Sequence, residues 1–557
     1  MLSTKFLLPL LVLPGVRTEG EAIPKSTTNN CNAEKFTKPI FDGAEILSLS
    51  ATLQTNYTTP ASEILPPVTD LRFCEVNIHV RHHGANDDVL IRVWLPSERK
   101  DWNGRFQATG GGGFATSLGF VGLAPALKQG YAAVSTDGGH DEWSWLSLEW
   151  LMKPDRTIDW ALWQNFAERS LVEQILIGKN IVEQYYGDKP HHSYWNGCSQ
   201  GGRQGYLMAQ KYPHLLDGIM AAAPALDLIS ITMGGFWPQL VMKDADTYMS
   251  NCEFGLFANK LIEGCDVLDG FVDGVIMEPD ACPFEPETLI GHDFDCDGQT
   301  TQVTSSMASV VRKIIQGPHT PLGTQLGPGL SPGSNYAIIA NISTTPSGTR
   351  TQNPIALPVL ETLLLPPRFD LSTLTPIDYF ALWAQASAHW SWALTTLSTD
   401  LTALRDAGTK LLSWHGMADE IIPYQHTLKY RQRIEREMSQ VDDFYRLFLA
   451  PGVGHCAGGN GPLPTDPLAT LVKWVEEGEA PEGLDAAVTN AQGDVVERQV
   501  CKWPNQAKYT GTGHAKRKEN WKCVSGTSGD SKKHEDELRQ KVMGLGSWMQ
   551  SWGAWRV

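Results

Sequence analysis

Basic residues are scarce in this chain. Its 557 residues include 62 Asp and Glu against 45 Lys and Arg, a net charge of −17 with histidine neutral. A surface of that sign gives no footing to a phosphate backbone, so nucleic acid is excluded as a partner. Long apolar runs are missing as well. No stretch reaches the ~20 apolar residues needed to cross a bilayer, which excludes a membrane-embedded protein. No internal repeat is evident, and with 42% apolar and 9% aromatic residues the composition is not that of a disordered chain. The length exceeds one ordinary domain. It suits a large α/β domain carrying an insertion as well as it suits two tandem domains.

What is present begins at the amino terminus. A short basic start ending at Lys5 is followed by an apolar stretch from Phe6 to Leu13, interrupted by Pro9 and bounded by Pro14. This is too short to span a membrane and reads as a secretory signal over residues 1–22, cleaved near residues 17 to 23. A secreted, extracellular protein is therefore expected. Ten cysteines, an even number, then favour up to five disulfides over thiol chemistry or zinc. Two sequons, at Asn56 and Asn341, are candidate glycosylation sites.

Periodicity divides the rest of the chain. Residues 72–96 alternate as two strands of a hairpin. Strands near 106–109, 131–135, 194–196 and 218–223 then alternate with helical stretches, the longest over 158–186 and another from the Ser199 turn to about Lys211. Such alternation predicts an α/β fold, a mostly parallel sheet flanked by helices on both faces. The rhythm breaks over 225–404, where Asp-Gly turns, four clustered cysteines and a Pro/Gly/Ser/Thr-rich segment at 317–368 suggest a large inserted lid. It resumes with strands at 410–415 and 445–449 and helices at 424–439 and 465–477. The catalytic domain is accordingly expected over 23–224 and 405–557.

Residues 196–202 read Asn-Gly-Cys-Ser-Gln-Gly-Gly. Gly197-Cys-Ser199-Gln-Gly201 is a Gly-x-Ser-x-Gly pattern, which places a serine on a sharp strand-to-helix turn. A serine hydroxyl is a poor nucleophile at neutral pH unless a histidine takes its proton and a carboxylate orients the imidazole. Asp419 and His455 follow the strands at 410–415 and 445–449, in the chain order serine, acid, histidine of an α/β hydrolase. Cysteines adjoin both ends of this set, Cys198 before the serine and Cys456 after the histidine. If bonded, their α-carbons lie about 5 to 6 Å apart and Ser199 and His455 are held as neighbours of one covalent link. The alternative is that Cys198 is a small core residue and Cys456 pairs elsewhere. The oxyanion needs N–H donors. Gln200 supplies one, and the run Gly110–Gly113 is the candidate for the second, with Gly111 and Gly112 taken as its donors.

Three aspartates, Asp266, Asp269 and Asp273, crowd one loop flanked by Cys265 and Cys282. Read alone they are either ordinary Asp-Gly turns or a site for a hard, oxygen-seeking ion. Asp293, Asp295 and Asp297 begin an EF-hand pattern, but its twelfth position is Thr304, so no second calcium is expected there. His79, His82 and His83 lack helical metal spacing, and no zinc is expected. Trp237, Trp383, Trp390 and Trp392 in the insertion could form a flat apolar slot for a phenolic ring, or could be core.

The Cys198-Ser199, Asp419, His455-Cys456 set resembles the tannase and feruloyl esterase family of α/β hydrolases. So do the blocks Trp102-Asn-Gly-Arg-Phe, Gly110-Gly-Gly-Gly-Phe and Trp414-His-Gly-Met-Ala-Asp-Glu-Ile-Ile-Pro; the likeness runs over about residues 40 to 540. The resemblance implies a serine carboxylic ester hydrolase acting on small-molecule or polysaccharide-linked phenolic esters. Hydroxycinnamates of plant cell walls are the first expectation, with gallate esters or another carboxylester as the alternative. It implies structural Ca2+ in the lid, held by side chains of Asp266, Asp269 and Asp273 and carbonyls of Phe271 and Val275, and no cofactor for the chemistry. The remaining bridges expected are Cys31–Cys74, Cys265–Cys282, Cys252–Cys296 and Cys501–Cys523. A peptidase or lipase could use the same triad, though no long apolar flap speaks for a lipase.

Overall fold

A computed structural model describes residues 31–62, 66–296, 298–340, 342–344, 350–352, 356–490 and 492–526. The expected signal at 1–22, Asn341 and Asp297 lie outside the described residues.

Nine strands form the central sheet among the described residues: β1 (Ala44–Tyr57), β2 (Leu71–His82), β3 (Val89–Pro96), β4 (Arg105–Thr109), β5 (Ala132–Thr136), β6 (His192–Cys198), β7 (Gly218–Ala222), β8 (Lys410–Gly416) and β9 (Tyr445–Ala450). Their spatial order is β1-β2-β3-β5-β4-β6-β7-β8-β9. β1 pairs with β2, β2 with β3 and β3 with β5, all antiparallel. From β5 to β9 every pairing is parallel. The expected hairpin is β2 and β3. β1 is not foreseen from sequence, because its half-exposed alternation gives no continuous apolar run.

Parallel strands are buried on both faces, and successive residues here feed two cores. Trp195, Ile219, Leu411 and Leu447 pack with the helices Ser170–Tyr186, Gln200–Lys211 and Gln425–Glu437. Their neighbours Tyr194, Met220, Leu412 and Phe448 pack with the helices Phe120–Lys128 and Pro467–Glu477 on the other face. The long helix expected over 158–186 is broken by a π turn at Asn165–Arg169, where the Asn165 side chain donates to buried Asp87. Beyond Glu477, two unforeseen antiparallel pairs, Gly483–Thr489 with Val495–Cys501 and Asn505–Tyr509 with Trp521–Ser525, are joined by Cys501–Cys523.

The insertion leaves the sheet after β7 and returns at β8. Its helices Asn251–Cys265 and Ser305–Gln316 share a core with the end of Leu228–Asp244, while the rest of that helix and Pro376–Leu394 pack in a second core with Phe114, Leu151, Trp163 and Phe166 of the catalytic part; Cys252–Cys296 and Cys265–Cys282 stitch the insertion. With Cys31–Cys74 and Cys198–Cys456, all five expected pairs are formed.

Candidate active site

Ser199 follows the end of β6 and caps the helix Gln200–Lys211, with φ 62° and ψ −121°. A non-glycine residue held there costs about 1 to 3 kcal/mol, so the surroundings must enforce it. Ser199 N–H donates to Ala222 at 3.0 Å, and its carbonyl accepts from Arg203 and Ala225 at 3.0 and 3.1 Å. The flanking glycines make the turn possible. A Cβ on Gly197 would lie 2.5 Å from the Gly201 carbonyl, and one on Gly201 would lie 3.0 Å from Gly111 O.

Asp419, in the turn after β8, is fully buried. Its Oδ1 accepts from Ile421 and Ile422 amides at 2.9 and 2.7 Å, and its Oδ2 faces His455 Nδ1 at 2.8 Å. Burial alone would raise its pKa, but the charge and hydrogen bond of His455 and the bond from His415 outweigh it and hold Asp419 well below the usual carboxylate range. For His455 burial works downward, yet the charge and hydrogen bond of Asp419, with the charge of Glu420, prevail and raise its pKa. Cys456 follows with φ 62°, bonded to Cys198 across a Cα–Cα distance of 6.0 Å. Nε2 of His455 is the nitrogen left for the serine. The two groups form no hydrogen bond in this structure, a common state before substrate tightens the site.

Two further side chains, neither expected from sequence, support the triad. His415, on β8, is fully buried, with Nε2 3.1 Å from Asp419 Oδ2 and 2.9 Å from the Ile422 carbonyl. Facing two acceptors, Nε2 carries the proton, and Nδ1 accepts from the Thr427 hydroxyl at 2.8 Å. Glu420 turns its Oε2 to the His455 amide at 3.1 Å.

The glycine loop departs from expectation at one point. Gly111 N–H is taken by Gln204 Oε1 at 2.9 Å, and Gly111 O accepts from Gly201 at 2.9 Å. Gln204 is buried and also donates to Thr116 O at 3.1 Å, so it sews the loop to the nucleophile helix and removes Gly111 from the candidate donors. Among the described residues nothing takes the Gly112 amide, which stays a candidate beside Gln200, the first residue of the helix. The loop is braced further on: Phe114 N–H donates to Trp145 O at 2.7 Å, and His140 Nε2 donates to Phe114 O at 3.1 Å. Burial pushes His140 down to about 4, which keeps that ring neutral.

A cavity opens at Ser199, Gln200 and Gly113, and its described walls are mostly aliphatic, among them Leu146, Leu228, Ile231 and Ile421, with Phe114 as the aromatic and Thr232 as the polar side chain. None of the four lid tryptophans lines it among the described residues. Trp383 and Trp390 are buried in the lid core, Trp237 donates its indole N–H to Lys313 O, and Trp392 is 63% exposed. The expected aromatic slot is not built from them: packing consumes the faces of Trp383 and Trp390, and Trp392 is turned to solvent away from the cavity lining.

In the aspartate loop, Asp266 accepts from the amides of Asp273 and Gly274 at 3.3 and 2.8 Å, Asp269 from Phe271 at 2.8 Å, and Asp273 from Arg498 at 2.7 Å. Burial and then the charges of Asp273 and Asp266 push Asp269 up to about 6; burial likewise raises Asp273 against the pull of Arg498. Three carboxylates meet one guanidinium, a donor set of oxygens with surplus negative charge. As the loop stands they do not converge on one point, since amides hold Asp266 and Arg498 draws Asp273 aside. His79 faces Asp88 at 2.7 Å, and His82 lies between Asp87 and Glu173 at 2.6 and 2.8 Å. Asn56 is exposed near the end of β1, and Asp293 and Asp295 lie on a short strand paired with Gln299–Gln302.

Comparison with known proteins points to one family. A profile described as tannase and feruloyl esterase matches residues 74–524. A probable feruloyl esterase of Arthroderma benhamiae is 39% identical over 522 residues, covering 92% of this chain and 96% of that protein. Feruloyl esterase C of Talaromyces stipitatus is 31% identical over 477 residues, with coverages of 81% and 85%. Among solved structures, tannin acyl hydrolase from Aspergillus niger superposes with a TM-score of 0.80 at 27% identity, covering 89% of this chain and 95% of that one. Feruloyl esterase B from Aspergillus oryzae gives 0.72 at 27% identity, with coverages of 87% and 98%. With an α/β sheet whose strand ends carry Ser199, Asp419 and His455, the chain belongs to the tannase and feruloyl esterase family.

Proposed function

We propose that this protein is a secreted serine esterase that cleaves esters of phenolic acids, feruloyl and related hydroxycinnamoyl esters first. One observation carries the reading: nucleophile and base are neighbours of a single disulfide, and the acid lies on the far nitrogen of the base. Ser199 attacks the ester carbonyl and passes its proton to His455 Nε2, while Asp419 holds the Nδ1 proton and the imidazolium charge. Negative charge developing on the carbonyl oxygen is met by the amides of Gln200 and Gly112. The alcohol leaves with the proton from His455. Water then gives its proton to His455 and attacks the acyl-enzyme, releasing the acid and restoring the serine.

The acyl group would enter the largely apolar cavity beside Ser199, where Phe114 offers a ring, and relatives carrying the feruloyl esterase name favour a hydroxycinnamate there. A galloyl ester is the second reading, favoured by the close superposition on a tannin acyl hydrolase. Rates on methyl ferulate, methyl caffeate and methyl gallate separate the two. Ser199→Ala should lower kcat by about a million-fold without unfolding the protein. Retention of most turnover would refute the assignment.

Oxygen donors with surplus negative charge fit Ca2+ in kind, and the loop would hold the ion through Asp266, Asp269 and Asp273 side chains and Phe271 and Val275 carbonyls once Asp273 is released from Arg498. The ion would offset the burial and, after it, the neighbouring carboxylate charges that raise Asp269. Chelation with EGTA should then lower Tm and leave the mechanism of the remaining folded enzyme unchanged; an unmoved Tm argues against the ion. Export is supported by the five disulfides, and no described helix is long and apolar enough to cross a membrane.

A further inference from the structure

His455 lies at the tip of a short loop whose own bonds stop before it. Val453 bridges to Gly459, and Gly454 N–H donates to Gly458 O at 3.1 Å. Three links reach the tip from elsewhere. Asp419 holds the ring at 2.8 Å, the bond to Cys198 holds the residue after it, and Glu420 Oε2 accepts the His455 N–H at 3.1 Å. The first two belong to the triad and its staple. The third has no part in the proton transfers.

Its placement is nonetheless specific. Glu420 directly follows Asp419, so one turn presents a carboxylate to the imidazole and the next carboxylate to the main chain of the same residue. A Cβ at position 454 would lie 2.9 Å from Glu420 Oε2; the glycine before His455 is what lets the carboxylate reach the amide. The contact is also costly to keep charged. Burial, followed by the repulsion of Asp419, raises the pKa of Glu420. The titratable groups facing it are Asp419 and His455, with His415 beyond Asp419.

We propose that Glu420 is a positioning residue for catalysis, its carboxylate fixing the main chain of His455 so that Nε2 is presented to Ser199 while Asp419 holds Nδ1. This rests on the triad reading above. A carboxylate that merely capped the loop would leave turnover and its pH dependence alone. Glu420 should govern both, because ring position depends on the backbone it grips and its negative charge favours the imidazolium.

The test is turnover of p-nitrophenyl butyrate across pH by wild type, Glu420→Ala, Glu420→Gln and Ser199→Ala, with Tm measured on the same samples. Glu420→Ala should lose about 10²-fold in kcat, the scale of a displacement near 1 Å, with little change in KM. Glu420→Gln keeps an acceptor for the amide and should recover most of that loss. Lacking the charge, it should shift the acid limb of kcat/KM to lower pH, since neutral His455 then persists to lower pH. A wild-type kcat in Glu420→Ala overturns the proposal. If the alanine variant does not fold, the limb of the glutamine variant decides alone. Turnover retained by Ser199→Ala would bring down the triad and this inference with it, whereas an inactive Ser199→Ala beside an unimpaired Glu420→Ala removes only the role of Glu420.

Discussion

Replacing Cys198 and Cys456 together by alanine removes the bond that ties the nucleophile turn to the histidine loop and leaves no stray thiol. The bond spans 258 residues of sequence. Loop-closure entropy for that length gives a ceiling of roughly 5.5 kcal/mol of lost stability. At ~2.1 cal/mol/K of unfolding entropy per residue, a chain of this size would show that as a fall of about 5 °C in Tm. Activity should suffer more than stability. Ser199 and Cys456 both hold φ 62°, each at a cost of about 1 to 3 kcal/mol. Ser199 keeps its bonds to Ala222, Arg203 and Ala225 when the sulfurs go. Residue 456 loses the partner that enforces its conformation, and His455 drifts with it. A drift near 1 Å is enough to cost about 10²-fold in turnover. The assay is kcat and KM on p-nitrophenyl butyrate well below Tm, with calorimetry on the same protein. A double variant that melts earlier but turns over at the wild-type rate would refute the reasoning, because the bond would then brace the fold and not the site.

Three further outcomes are expected. His82 is buried between Asp87 and Glu173, and although burial opposes it, the hydrogen bond and charge of Glu173 and the bond of Asp87 raise its pKa. A raised folded value stabilises fully below the unfolded imidazole value of about 6.5 and is lost as pH rises through the folded one. The Tm advantage of wild type over His82→Asn should therefore be largest in mild acid and narrow toward alkaline pH; a gap that widens with pH contradicts the pairing. His415→Phe strips a donor from Asp419 Oδ2 and a partner from Thr427, costing about 1 to 3 kcal/mol with a fall in kcat, which calorimetry and steady-state rates check together; an unchanged Tm would discount both bonds. Trp392→Ala, at an exposed position, should shift stability by less than about 0.5 kcal/mol and leave the ferulate to gallate rate ratio unmoved, and a changed ratio would reinstate the aromatic slot.

The parts of this site that could be read from sequence are those constrained twice. Ser199, Asp419 and His455 had to be particular residue types and had to stand just past apolar strands, and β6, β8 and β9 end where that pattern put them. Cys198 and Cys456 were legible because they adjoin two such residues. Aromatic residues of the lid carry one constraint only, the need to be covered, and a helix core satisfies it as well as a substrate slot does; Trp383 and Trp390 went to the core. The same holds for Gly111, where an open glycine amide and one taken by Gln204 look alike until the helix is laid against the loop. β1 was hidden because a strand with one wet face and mixed polarity lacks the apolar run that marks the central strands.

Supports of the machinery are the least legible, for a physical reason. The task of His415 is to donate one hydrogen bond to Asp419, and that of Glu420 is to accept one from His455. Several residue types could do either job, from any position that brings a polar atom within about 3 Å. Chemistry therefore narrows the choice of a nucleophile or a base far more than the choice of what holds it. Their adjacency to the triad in sequence, at positions 415 and 420 around 419, is the one trace they leave. It acquires meaning only once the β8 turn folds the imidazole under the aspartate and carries the next carboxylate to the histidine loop.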